Sequence, residues 1–159
     1  MDGIAVRAAR PGDVAAAAEL RWRWAEEVHG TPDLALDEFT AGFTAWAART
    51  GSSHRCLVAA RCDRVVGMAW LAITPRVPHP RSFERGSGDL QCVYVRPSER
   101  GRGVGARLIG AALALARELG LERVTVHSSA RAVSAYARGG FEVSPHLLQA
   151  ETGRPGYAR

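Results

Sequence analysis

Arg100 to Ala106 reads Arg-Gly-Arg-Gly-Val-Gly-Ala, and these residue types suit the binding of an anion. Gly101, Gly103 and Gly105 remove side chains where a strand-like run, 90–95, gives way to a strongly apolar one. Backbone N–H groups can there approach a negatively charged ligand. At a helix start those groups lack intrahelical partners, and the helix dipole adds its positive end. Arg100, Arg102 and Arg107 contribute full charges and fork-shaped donors that match phosphate geometry. Downstream, Val104, Leu108, Ile109, Ala112, Leu113, Leu115, Ala116 and Leu119 recur at helical spacing until Gly120 offers a stop. The pattern puts the glycines at a helix N-terminus and points to a bound pyrophosphate.

Other readings of such a loop compete. A Walker A loop needs a lysine after its last glycine, and this chain contains no lysine. The dinucleotide fingerprint G-x-G-x-x-G/A is matched by Gly101, Gly103 and Ala106, with Glu122 near the distance of a ribose-binding acid. That acid should end a second strand, whereas Glu122 precedes the run 123–127, and too little chain follows Gly101 for a doubly wound sheet. A glycine-rich turn that merely packs helix on strand is the structural alternative.

The elements that position the loop follow from periodicity. A weak alternation predicts a strand over 4–8, and Pro11 with Asp13 starts a helix to about 29, broken by Gly30-Thr31-Pro32. Leu36, Phe39, Phe43 and Trp46 predict a second helix over 35–49. Runs at 55–60 and 65–73 flank Cys62-Asp63-Arg64 as a hairpin. Residues 74–88, rich in proline, glycine and charge, are expected to form a mobile loop. Strand 90–95, helix 103–119 and strand 123–128 make a parallel crossover unit. A short helix over 132–138 and final strands near 141–144 and 147–151 complete the reading.

Composition narrows the class. At 159 residues the chain is one domain, 1–159, with room for a proper core. Its opening, with Asp2, has no basic-then-apolar leader, and runs such as 65–73 are too short to span a bilayer. A cytoplasmic protein without membrane partners is expected. Cys56, Cys62 and Cys92, odd in number and within apolar segments, suggest reduced and mostly buried thiols, with no metal framework. All 21 basic residues are arginine and the net charge is +5. Arginine and alanine in surplus over lysine suggest a GC-rich bacterial genome. The positive field favours a polyanion. The arginines are scattered rather than massed, which argues against nucleic acid as a partner.

The order strand, R/Q-x-x-G-x-G/A, helix resembles the acyl-coenzyme A site of the GNAT superfamily of N-acyltransferases. Here Arg100-x-x-Gly103-x-Gly105 follows Val93-Tyr94-Val95-Arg96-Pro97. Ala135-Tyr136-Ala137-Arg138-Gly139-Gly140-Phe141 resembles the family's late tyrosine and Gly-Phe pair, and Val6 to Asp13 its opening strand and helix. The resemblance implies an α/β fold: a mixed, mostly antiparallel sheet with a splayed parallel strand pair at the cofactor cleft, and flanking helices. It implies transfer of an acetyl group from acetyl-CoA to a primary amine, small molecule or peptide, by direct attack in a ternary complex. Acyl-CoA sensing without turnover and a basic nucleic-acid-binding module are the competing functions.

The same resemblance assigns roles. Val93, Tyr94 and Val95 would offer backbone hydrogen bonds to pantetheine, and Arg100, Gly101, Arg102, Gly103, Val104, Gly105 and Ala106 would hold the pyrophosphate. A backbone N–H near Val93 would polarise the thioester carbonyl. Tyr136 would protonate the departing thiolate, with a packed aromatic as the alternative. Asp89 would be the general base through water, or only a residue of the turn that opens its strand. His127, expected on a strand facing the cleft, is the second candidate base. Ser129 stands where many members carry a cofactor-bonding asparagine, and could equally be an N-cap. Arg131 and Arg138 would meet the 3′-phosphate. Acceptor choice would rest with the first two helices, the loop 74–88 and the last strands. Trp22, Trp24, Phe39, Phe43, Trp46 and Trp70 could line an acceptor pocket or simply form core. Glu26 and Glu27 could attract an amine or lie on a solvated face. Homodimers are common in that family.

Overall fold

The computed structural model describes residues 3–154; Asp2 lies outside them. Five strands form one sheet in the order β1-β2-β3-β4-β5: β1 Ile4–Ala8, β2 His54–Arg61, β3 Arg64–Pro75, β4 Gly86–Val95 and β5 Val124–Val126. The first four are antiparallel and β5 joins β4 in parallel. The helices are α1 Val14–His29, α2 Leu36–Arg49, α3 Val104–Glu118 and α4 Val133–Arg138. Asp13 fixes the entry to α1, accepting hydrogen bonds from the Arg10 N–H at 2.6 Å and from Arg7 Nη1 at 2.6 Å. The β2–β3 hairpin turns through Cys62 and Asp63, both at positive φ (45° and 64°), as its tight two-residue loop requires.

Two cores lie on opposite faces of the sheet. Val104, Leu108, Ile109 and Ala112 form the buried stripe of α3 and pack on Ile4, Leu57, Ala59, Val66 and Leu90. Ala17 and Leu20 of α1 pack on Val58, Val65, Met68, Trp70 and Tyr94, with Phe43 and Trp46 of α2 beside them. Because β3 is covered on both faces, residues Val65 to Ala72 are all buried and read as a continuous apolar run rather than an alternating one.

Two irregularities of β4 create the site. Trp70 pairs with Gln91 and Met68 with Tyr94, so Cys92 and Val93 oppose the single residue Ala69. Cys92 takes up this bulge at φ 51°. The extra residue reverses the alternation: Leu90 packs on the α3 side, and beyond the bulge Val93 and Val95 do so too, while Tyr94 turns to the α1 side. Second, β4 and β5 pair only through Gly88↔Val124, Asp89↔Thr125 and Leu90↔Val126. Past Leu90 the parallel strands separate, which is the expected splay.

Other expectations are corrected. Residues 74–88 are not one loop: β3 and β4 stay paired to Pro75↔Gly86, and Arg85 bonds Glu122 at 2.6 Å and the Val77 carbonyl at 2.9 Å. The charges and glycines there belong to an extended hairpin. No strand forms at 141–144 or 147–151 among the described residues; Ser144 instead anchors a turn, and Val143 and Leu148 are exposed. The ladder has no partner there to satisfy. All three cysteines are free, but Cys62 in the hairpin turn and Cys92 at the bulge are exposed, and only Cys56 is shielded. Burial pushes the Cys56 thiol up to about 12.

Candidate functional site

The N-terminus of α3 opens onto a cleft of ≈ 630 Å³ between β4, α1 and α4. Gly103 is the N-cap in the left-handed region (φ 76°, ψ 7°), and Gly101 is left-handed as well (φ 75°). A Cβ on either would meet no atom within 4 Å, so glycine is needed there for its conformation and for ligand approach, not for packing. The first helical bond runs from Arg107 N to Gly103 O at 3.1 Å. The N–H groups of Val104, Gly105 and Ala106 precede it without helical partners, and no side chain caps them. Gly101, Gly103, Val104, Gly105 and Ala106 all line the cleft.

The splay supplies the second wall. The Gly88 N–H bonds Arg123 beside β5, the Arg96 N–H bonds Val66 of β3, and Val95 O accepts from Arg100 Nε at 2.9 Å. Backbone alternation therefore turns the peptide groups of Val93 and Val95 into the gap left by β5. Val93, Tyr94 and Val95 line the same cleft as the loop.

Arg100 is held in a network that the sequence reading missed. Its Nη1 and Nη2 donate to Glu27 Oε1 at 2.6 Å and Oε2 at 2.9 Å, and the Tyr94 hydroxyl donates to Oε2 at 2.8 Å. The guanidinium also lies 5.2 Å from the Tyr94 ring centroid. The Arg100 hydrogen bonds hold the Glu27 carboxyl below its ordinary value, with Tyr94 adding to them against a desolvation cost. Burial first, then Glu27, raises the Tyr94 phenol. The available signal was spacing: Ala17, Leu20, Trp24 and Glu27 fall at i, i+3, i+7 and i+10 of α1, putting a carboxylate on the core-facing stripe.

The remaining candidates divide. Tyr136, Ser129, Arg131 and Arg138 reach the cleft. Tyr136 stacks edge-on against Phe141 at 5.5 Å, and burial above all, with Cys92 adding to it, raises its phenol pKa. Its proton is therefore retained at neutral pH. Ser129 is not an N-cap: α4 is capped at Ala132 without a side-chain bond, and Ser129 uses its carbonyl to accept from Ala132 N at 3.0 Å. Arg102 leans on Glu99 at 3.7 Å outside the cleft lining, and Arg107 points away to Ile4 O at 2.9 Å. Asp89 is half-buried on the sheet face opposite Leu90, accepting from Thr125 Oγ1 at 3.0 Å and Gln91 Nε2 at 2.9 Å. The expected placement of His127 on a cleft-facing strand is corrected: β5 ends at Val126, and His127 is exposed and outside the cleft lining.

On the α1/α2 side of the sheet, Arg21, Phe39, Phe43, Trp46, Trp70, Gln91 and Cys92 enclose a second cavity of ≈ 290 Å³. Four of the six aromatic candidates meet there. Trp22 instead donates to Leu34 O at 2.8 Å, and Trp24 lines the first cleft. No helix among the described residues is long and apolar enough to cross a membrane, and no group of three or more candidate metal ligands clusters there.

Comparisons with known proteins bear on the family and the fold. A family model described as acetyltransferase (GNAT) family matches residues 14–141. A protein of Oryza sativa subsp. japonica named "Probable glucosamine 6-phosphate N-acetyltransferase 2" is 31% identical over 118 residues, covering 72% of this chain and 69% of its own length. An acetyltransferase structure from Trypanosoma brucei aligns at TM-score 0.71 with 25% identity, over 93% of this chain and 99% of its own. A Clostridium acetobutylicum structure, solved with acetyl-CoA, shares the fold at TM-score 0.75 with 16% identity, over 93% of this chain and 96% of its own.

Proposed function

The chain belongs to the GNAT family of acetyltransferases, and on that premise we propose that it moves an acetyl group from acetyl-CoA to a primary amine by direct attack within a ternary complex. The observation that carries this reading is one continuous cleft. In it, unpaired N–H groups at the α3 N-terminus, the turned-out peptides of Val93 and Val95, and the protonated phenol of Tyr136 stand together.

The residues fit the co-substrate. Partnerless N–H groups and the dipole at Val104 to Ala106 suit a pyrophosphate, with Arg100, Arg131 and Arg138 as further cations on the rim. Bound acetyl-CoA supplies an acyl group already activated as a thioester. The Val93 N–H is the donor for its carbonyl oxygen, where negative charge grows during attack. Tyr136 holds the proton that the departing sulfur needs. Asp89 is the carboxylate we assign as base; tied to Gln91 and Thr125 and outside the cleft lining, it takes the amine proton through water. We place the protein in the cytoplasm, without a metal.

A screen of thiol release from acetyl-CoA over a broad amine panel tests the reading. Release with a subset of amines is expected. Tight acetyl-CoA binding with no release from any amine would instead support a sensor. Arg100→Glu is expected to weaken acetyl-CoA binding strongly.

A further inference from the structure

The second cavity carries an unexplained polar feature. Its walls are aromatic: Phe43 stands 5.6 Å from Phe39, 5.4 Å from Trp46 and 5.5 Å from Trp70, and Trp46 and Trp70 are 5.2 Å apart. Among these apolar rings are two donors without acceptors. Trp70 is only 6% exposed, yet its indole N–H has no partner among the described residues, and neither does the buried Nη1 of Arg21. The Arg21 guanidinium sits over Trp24, 4.2 Å from the ring centroid. Buried donors are ordinarily satisfied, and leaving them unpaired is costly. Both nitrogens belong to side chains that line the cavity but are themselves covered, so a small shift of either side chain would let it pair with an anionic oxygen of a ligand held there.

The position of the cavity says which ligand. Gln91 and Cys92 are part of its wall, and the next residues, Val93 to Val95, line the cofactor cleft. The β4 bulge thus stands between the two, as does α1, whose Arg21 lines the cavity and whose Trp24 lines the cleft. The side-chain amide of Gln91 donates to Asp89, so its carbonyl oxygen is left facing no donor among the described residues and can receive an amine N–H.

We infer that this cavity holds the acceptor, and that the acceptor is a primary amine joined to an aromatic or branched apolar body and a carboxylate. The carboxylate accepts from Arg21 and Trp70, the body lies among Phe39, Phe43 and Trp46, and the amine is presented past Cys92 toward Val93. In the transfer a C–N bond forms and the thioester C–S bond breaks. One amine proton leaves through water to Asp89, and the sulfur takes a proton from Tyr136. A cationic polyamine would meet Arg21 unfavourably. A sugar phosphate would leave its hydroxyls and second phosphate charge against four aromatic walls.

This inference rests on the acetyl-transfer reading, and its test separates the two. Calorimetry with 3-phenylpropionate, which has the body and carboxylate but no amine, needs no turnover. It should bind the wild-type protein and bind Trp70→Phe and Arg21→Met at least about tenfold more weakly, since each loses a hydrogen bond to a charged group. Trp70→Phe keeps an aromatic ring but loses the indole N–H together with the second ring, so Arg21→Met, which leaves every aromatic wall in place, checks that weaker binding reflects a lost donor and not a cavity. In thiol-release assays L-phenylalanine should exceed both 2-phenylethylamine and glucosamine 6-phosphate at least tenfold in kcat/KM. That preference over 2-phenylethylamine should shrink in both variants through KM. Equal binding of 3-phenylpropionate by all three proteins, or preference for 2-phenylethylamine or glucosamine 6-phosphate, overturns the acceptor class while leaving acetyl transfer standing. Loss of acetyl-CoA binding or of thiol release with every amine overturns the reading beneath it.

Discussion

Glu27→Gln is expected to tighten acetyl-CoA binding, although it removes a salt bridge. Both terminal nitrogens of Arg100 are spent on Glu27, at 2.6 and 2.9 Å. To reach a pyrophosphate at the α3 N-terminus the guanidinium must give up at least part of that pair. Both side chains are 39% exposed, so solvent screens them. The pair is worth about 1 kcal/mol at most, and that only because it is bidentate. Returning this energy to binding lowers Kd by roughly two- to fivefold. Removing a carboxylate beside a polyanion acts in the same direction, and the amide oxygen can still accept from Tyr94. Calorimetric titration with acetyl-CoA measures the effect. Repeated at high salt, it should show a smaller difference, because exposed charges are screened. The pH dependence has a definite sign. Arg100 holds the Glu27 pKa below its ordinary 4.5, so the pair's stabilisation is fully present above that value and is lost as pH falls through the lower folded one. Wild type and variant should therefore differ at neutral pH and converge in acid. An unchanged or weaker affinity at every salt concentration, with the fold intact, would refute the argument and make Glu27 a residue that aims Arg100 at the ligand.

Three further outcomes follow from the same geometry. Tyr136→Phe should lower kcat about a hundredfold or more in thiol-release assays while leaving acetyl-CoA affinity unchanged, because only a proton donor is removed; unchanged turnover across pH would remove the acid assignment. Gly103→Ala adds a Cβ with no atom within 4 Å but at φ 76°, so urea unfolding should show a loss of about 1–2 kcal/mol from backbone strain alone, with weaker acetyl-CoA binding. Leu108→Ala, at a fully buried position of the α3 core, should cost about 2–5 kcal/mol in the same unfolding measurement.

Much of the machinery is local, and local features are legible in a chain. The sequence places the four α-helices and all five strands described here, β4 apart, within a few residues, because a covered face must be apolar at its own repeat; the first four residues of β4, 86–89, escape it. The strands expected at 141–144 and 147–151 fail for the opposite reason: a strand is defined by a partner, and Val143 and Leu148 meet none among the described residues. The charges and glycines of 74–88 looked like a loop. Pairing of Pro75 with Gly86 absorbs much of that segment into the ladder.

The sequence by itself determined the helix N-terminus that opens onto the cleft. The glycines of RGRGVGA permit left-handed backbone whatever surrounds them, and the apolar spacing that follows dictates a helix. Tertiary structure alone decided what shares that cleft. The bulge at Cys92 has no sequence signature, since a cysteine at φ 51° is imposed by the strands on either side, yet it re-aims Val93 and Val95 and separates two cavities. The same long-range packing brings Glu27 to Arg100 across 73 residues, leaves His127 beyond the end of β5, and gathers Phe39, Phe43, Trp46 and Trp70 around one cavity. Residue type states which bonds a side chain can make; only the packed sheet states which of them are already taken.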